Sequence, residues 1–168
     1  MKILKLSVFA LLIAAGLLIM SCQTTTIYLV RHAEKKNETD TSSLTGKGVT
    51  RSYALRDTML KKNIRHIYVS TARRTQLTAR PTADTLHLTP IIYPGTQSLI
   101  DSLQTYRIST NIFVVAHSNT IPVIIDSLMK APQHLPYADF DDFYTVKISW
   151  GNEVTRTLKK TTYGPPSP

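Results

Sequence analysis

The sequence predicts an α/β protein, a three-layer α/β/α sandwich on a mostly parallel sheet with an antiparallel hairpin at one edge. Three observations carry this. Short β-branched, apolar runs alternate with helical patterns along the chain. Two of these runs, TTIYLV and IFVVA, are nearly continuous in apolar or β-branched residues, as in strands covered on both faces. The last two strand patterns are joined through Gly151-Asn152, a tight-turn signal.

Taken in order, Thr25 to Val30 is the first buried strand, and the polar stretch Lys35 to Ser43 is a loop. A helix starts at Leu44-Thr45, with Thr45 as N-cap, and runs to about Lys62. Val49, Ala54, Leu55 and Leu60 are expected on its apolar face. Ile67 to Ser70 is a second strand. Ala72 to Leu86 is helical, with Pro81 expected to kink or break it. Thr89 to Tyr93 reads as a third strand, Ser98 to Tyr106 as a short helix and Ile112 to Ala116 as a fourth strand. Thr120 to Met129 is a helix with Pro122 in its first turn, where proline is tolerated. Phe143 to Trp150 and Val154 to Lys159 form the closing hairpin.

The chain has 168 residues, room for one domain, and its apolar fraction of 42% is ordinary for a globular protein. Residues 1–21 read as an export signal: Lys2 and Lys5, then an uncharged stretch from Leu6 to Met20. The single cysteine, Cys22, follows directly, and Ile19-Met20-Ser21-Cys22 resembles a bacterial lipobox, whose cysteine becomes lipid-modified. The expectation is an exported, membrane-anchored, periplasm-facing domain over residues 22–162, with 163–168 as a disordered tail. An uncleaved anchor, or a free cysteine there by chance, is the alternative. Cys22 once lipidated, no disulfide can form.

The formal charge is +9, or +7 without Lys2 and Lys5. No basic run with interleaved aromatics and no nucleic-acid motif is present, so nucleic acid is not the expected partner. A surplus of arginines suits anionic, phosphorylated ligands.

In parallel sheets, ligands bind outside the carboxyl ends of the strands. Arg31-His32 follows the first strand, Ser70 ends the second and His117 follows the fourth. Arg31, His32, Arg74 and His117 are therefore expected on one rim. Arg73 and Arg74 are adjacent, and the four-residue step from Ser70 selects Arg74 for the pocket, leaving Arg73 solvated.

On those residues the chain resembles the histidine phosphatase superfamily, which includes phosphoglycerate mutases. Leu29-Val30-Arg31-His32-Ala33-Glu34 looks like its signature, and Leu44-Thr45-Gly46-Lys47-Gly48 resembles its "L-T-x-x-G" helix start. Ser70 to Ala79 resembles "S-x-x-x-R-x-x-Q-T-A", with Leu77 where the family often has Gln. Val114 to Thr120 resembles the second histidine motif. The resemblance covers roughly Thr25 to Lys160, four motifs in the family's order. It implies a phosphoglycerate mutase-like fold and a metal-independent phosphatase with no cofactor. His32 would be the nucleophile, forming a phosphohistidine. Arg31, Arg74, His117 and Ser118 would hold the phosphate, with Asn37 as a further ligand if it bends inward. The substrate would be a phosphorylated small molecule or a phosphoprotein.

The family's general acid has no clear counterpart, and Asp101 and Glu34 are the two candidates. A missing acid matters little for a good leaving group such as a phosphoramidate. In size the chain is similar to the small bacterial phosphohistidine phosphatases, without the insertions that lid larger members. A non-catalytic phosphate-binding module of the same fold is the alternative. His66, His87 and His134 have no motif around them and read as ordinary surface or edge residues.

Overall fold

The structure, a computed structural model, describes residues 23–167; the stretch read as an export signal and the candidate lipidation site Cys22 lie outside them. Ten elements follow in order: β1 (Gln23–Arg31), α1 (Gly46–Met59), β2 (His66–Ser70), α2 (Arg73–Leu86), β3 (Ile91–Tyr93), α3 (Thr96–Thr105), β4 (Thr110–Ala116), α4 (Thr120–Met129), β5 (Asp142–Trp150) and β6 (Val154–Thr162). A 3₁₀ turn, Leu60–Lys62, extends α1.

The six strands form one sheet in the order β3-β2-β4-β1-β5-β6. β3, β2, β4 and β1 are parallel, whereas β5 runs antiparallel to β1, and β6 to β5. The predicted three-layer sandwich is the one observed. Because side chains alternate across a strand, β1 splits its apolar residues between two cores. Ile27 and Leu29 pack with Ile112, Val114, Leu99, Ile121 and Ile124 under α3 and α4. Tyr28 and Val30 pack with Ile67, Val69, Phe113, Leu55 and Met59 under α1 and α2.

Thr45 caps α1 as expected, its hydroxyl accepting from the Gly48 N–H at 3.1 Å. The buried face of α1 differs from the expected one: Gly48, Arg51, Ser52, Leu55 and Met59 are inside, while Val49 and Leu60 are exposed. α2 runs unbroken through Pro81. Its buried residues are Thr75, Thr78, Ala79, Thr82 and Ala83, and Pro81 is only half-buried. β3 is shorter than expected, and the turn between β5 and β6 has three residues, since Trp150 pairs with Val154.

The tail expected to be disordered is packed through Ser167. Tyr163 is buried against Phe143, the Pro165 carbonyl accepts from Arg51, and Ser167 bonds Asp141. Gly164 makes the turn at φ +64°, in the left-handed region that glycine enters without strain. His66 is half-buried against Tyr106, and His87 and His134 are exposed.

Candidate active site

Sheet register explains why distant residues meet. β1 and β4 are parallel neighbours with Arg31 opposite Ala116, so His32 and His117 leave the sheet side by side. The His32 N–H donates to the Ala116 carbonyl at 2.9 Å, extending the ladder by one rung. β2 flanks β4 with Val69 opposite Val115, which brings Ser70 to the same level. The two imidazole centroids lie 5.4 Å apart, edge to face. Arg31, His32, Arg74 and His117 therefore share one rim, as the sequence predicts.

His32 is 3% exposed. Its Nδ1 lies 2.8 Å from the Ala33 carbonyl, a partner that can only accept, so Nδ1 carries the hydrogen and Nε2 keeps its lone pair. Burial, assisted by the positive charges of His117, Arg74 and Arg31, pushes its pKa down to about 3, against the opposing pull of the Ala33 bond. His32 is thus a neutral imidazole with a free nitrogen. The Ala33 N–H donates to Thr78 Oγ1 at 2.9 Å, tying this segment to α2.

His117 lies between Ser70 and Arg74. Its Nε2 is 3.0 Å from Ser70 Oγ and its Nδ1 is 3.4 Å from the Arg74 Nη2, a donor. Nδ1 therefore accepts and Nε2 carries the hydrogen. Burial and the Arg74 charge lower its pKa as well. Ser70 in turn bonds Thr75 Oγ1 at 2.9 Å, so the ring is held by a buried hydroxyl pair. Ser118 is half-buried beside His117, and its carbonyl accepts from Ala138.

Each arginine has a hydrogen-bonded arm and a buried Nε without a partner among the described residues. Arg31 donates to the Ala138 carbonyl at 3.2 Å and lies 3.7 Å from the ring centroid of Phe140. Arg74 donates to the Thr39 carbonyl at 3.2 Å and to Asp40 Oδ1 at 3.0 Å. Arg73 is exposed, as expected. The N–H groups at the start of α2 are already engaged: Ala72 donates to Ser70 Oγ and Arg73 to the Asp40 carbonyl.

Three expectations need correction. Asn37 is exposed, and its side-chain carbonyl accepts from the Thr39 N–H and hydroxyl, closing its own loop. It is not brought to the rim, because the polar turn it opens satisfies itself locally. Asp101 is exposed on α3 and accepts from Gln97 at 2.8 Å, an i,i+4 surface pair. Glu34 is held by Arg51 through three contacts of 2.8 to 3.0 Å. Burial would raise the Glu34 pKa, but those bonds and the Arg51 charge bring it below the usual carboxylate range. Neither candidate acid stands free at the rim.

Sequence reasoning missed Arg51, Ser70, Asp40 and Phe140. Arg51 was detectable: it lies on the stripe Gly48, Ser52, Leu55, Met59, and an arginine on an apolar stripe signals a buried ion pair. Gly48 is required by close approach, since a Cβ there would sit 2.3 Å from the Glu34 carbonyl oxygen. Phe140 comes from the loop before β5, which carries no motif; its ring centroid lies 6.2 Å from that of His32.

The family model of the histidine phosphatase superfamily, branch 1, matches residues 27–99. No curated protein matches the chain. Among solved structures, a protein assigned as phosphohistidine phosphatase SixA from Nakamurella multipartitia is 19% identical, with TM-score 0.59 over 81% of this chain and 95% of that one. A protein histidine phosphatase SixA complexed with tungstate is 14% identical, with TM-score 0.63 over 82% and 96%. The α-ribazole phosphatase from Shigella flexneri is 17% identical, with TM-score 0.64 over 80% and 94%. At these identities the structural likeness is one of fold.

Proposed function

With the histidine phosphatase superfamily as the family this chain resembles in motif order, family model and fold, we propose that it is a metal-independent phosphatase acting through His32. The observation that carries this reading is the pairing of a buried, neutral imidazole with a second histidine and two arginines at one strand-end rim.

His32 Nε2 attacks phosphorus in line, forming an N–P bond as the bond to the leaving group breaks. Arg31, Arg74 and His117 stabilise the charge on the transferring oxygens. Water then attacks the phosphohistidine, breaks the N–P bond and returns His32 and inorganic phosphate. The Nδ1–H bond to Ala33 helps here by holding the ring's orientation and supporting positive charge on the phosphorylated imidazole.

With Glu34 and Asp101 both committed elsewhere, the reading favours substrates whose leaving group departs without enzymatic protonation. Phosphoramidates such as phosphohistidine, and aryl phosphates, meet that condition. A lipid anchor on Cys22 and an exported location belong to the same proposal.

The test is turnover of an aryl phosphate by the protein and by His32→Ala, with an acid-labile phosphoryl label sought on His32. A fall of several orders of magnitude is expected, together with insensitivity to chelators. Retained turnover in the variant would reject His32 as nucleophile. Phosphate binding without label or turnover would instead support a non-catalytic binding module of the same fold.

A further inference from the structure

The end of the sheet opposite the rim carries a second charged surface. Parallel strands start there, so it gathers the start of β1, the 3₁₀ turn and loop before β2, the loop before β4 and the turn joining β5 to β6. Hydrogen bonds knit these segments together. The Ser109 N–H donates to Gln23 Oε1 at 2.8 Å, Asn111 Nδ2 donates to the Lys62 carbonyl at 2.6 Å, and the Arg65 N–H donates to the Asn111 carbonyl at 2.9 Å. Lys61, Arg65 and Arg107 are exposed at this end, and none forms an ion pair among the described residues. Of the acids nearby, Asp57 is paired with Arg56 and Glu153 lies exposed in the hairpin turn. Apolar groups stand among the bases: Ile108 is 57% exposed, Val154 is 43% exposed, and the Arg107 guanidinium lies 5.3 Å from the Trp150 ring. Basic groups mixed with tryptophan and aliphatic side chains are what a membrane–water interface accommodates.

The chain places this end at its tether. Gln23, the residue after Cys22, is already in β1 and paired with Trp150. An anchor at Cys22 therefore leaves about 3.8 Å of chain, one Cα step, between fold and lipid. With so short a tether, the face around Gln23 is held within reach of the bilayer.

We propose that this amino-end face docks on anionic phospholipid headgroups, with Lys61, Arg65 and Arg107 as its main contacts, so that the His32 rim points away from the membrane. β1 spans nine residues, which puts the rim about 26 Å beyond the docked end at 3.3 Å per residue. The site then meets substrates from solution rather than phosphate groups in its own bilayer. The substrate clause rests on the phosphatase reading, and the orientation rests on the anchor.

The chain contains a single tryptophan, and Trp150 lies on this face, so it reports docking directly. The full chain, purified from membranes, is reconstituted into vesicles of phosphatidylcholine with or without phosphatidylglycerol, with a headgroup-attached quencher in the lipid. Quenching is expected to rise several-fold with phosphatidylglycerol and to return to the neutral-lipid level in molar salt or in Lys61→Glu/Arg65→Glu/Arg107→Glu. That variant keeps its aryl phosphate turnover, which shows that it is folded. Quenching indifferent to phosphatidylglycerol, or unchanged in the variant, overturns the docking face. Failure to sediment with neutral vesicles overturns the anchor separately, without touching the charge-dependent comparison. Hydrolysis of phosphatidic acid placed in the same vesicle, at a rate matching a soluble aryl phosphate, overturns the orientation. If neither phosphate is hydrolysed, the phosphatase reading fails while the quenching result stands.

Discussion

Arg51→Met is expected to destabilise the domain by about 3 kcal/mol at pH 7. The substitution keeps an unbranched stem in the buried slot but removes every polar contact of the guanidinium. Those are three contacts of 2.8 to 3.0 Å to Glu34 and one of 2.7 Å to the Pro165 carbonyl. The Arg51 side chain is 2% exposed and that of Glu34 13%, so the stranded carboxylate cannot be fully rehydrated. Removing one partner of a buried ion pair costs about 3–5 kcal/mol, and the partial exposure of Glu34 selects the lower end. At 2–4 °C per kcal/mol for a domain of this size, Tm would fall by roughly 6–12 °C. The pH dependence has a definite sign. Glu34 has a folded-state pKa below its unfolded value, so its contribution is fully present above the unfolded value and is lost as pH falls through the folded one. The gap between parent and variant should therefore be widest near neutrality and narrow as pH falls below the usual glutamate range. Urea unfolding followed by Trp150 fluorescence measures it, and Glu34→Gln together with Arg51→Met/Glu34→Gln completes the cycle. A single variant within 1 kcal/mol of the parent, or a double variant no more stable than the single, would refute the assignment of an ion pair that holds the segment after His32.

Gly48→Ala should destabilise by about 1–3 kcal/mol despite alanine's better helix propensity, because the new Cβ meets backbone that cannot swing aside. Equal or greater stability in thermal melts would count against the close approach. His32 has a folded pKa depressed to about 3, so below pH 6.5 the unfolded chain takes a proton that the folded one refuses. Stability should fall by about 2 kcal/mol between pH 8 and pH 5 from this group, and His32→Gln should flatten that slope in denaturant titrations. Asp40→Asn frees Arg74 of an exposed anionic partner, and inorganic phosphate should then inhibit aryl phosphate turnover at several-fold lower concentration. Weaker inhibition would mean that Asp40 instead positions the guanidinium.

Much of this protein can be read from local pattern. TTIYLV and IFVVA have the composition of doubly covered strands, and Thr45 and Pro122 mark helix starts by rules that act within one turn. Strand ends in a parallel sheet share a rim, so the placement of Arg31, His32, Arg74 and His117 on one rim follows from element order, while their adjacency there comes from the pairing of β1 with β4 and β4 with β2. Burial and partner choice do not follow, because they depend on what lies across space. Asn37 and Asp101 satisfy themselves within their own turns, and Glu34 is claimed by an arginine seventeen positions on. The tail Gly164 to Ser167 has the composition of a disordered segment, yet Arg51 and Asp141 supply it with partners that a sequence window cannot contain. Sequence determines which residues can reach the rim, since the direction of the chain along each strand and the residue that follows its carboxyl end are local facts. Only tertiary packing decides which of them remain uncommitted there, since each hydrogen bond made elsewhere removes a group from the chemistry.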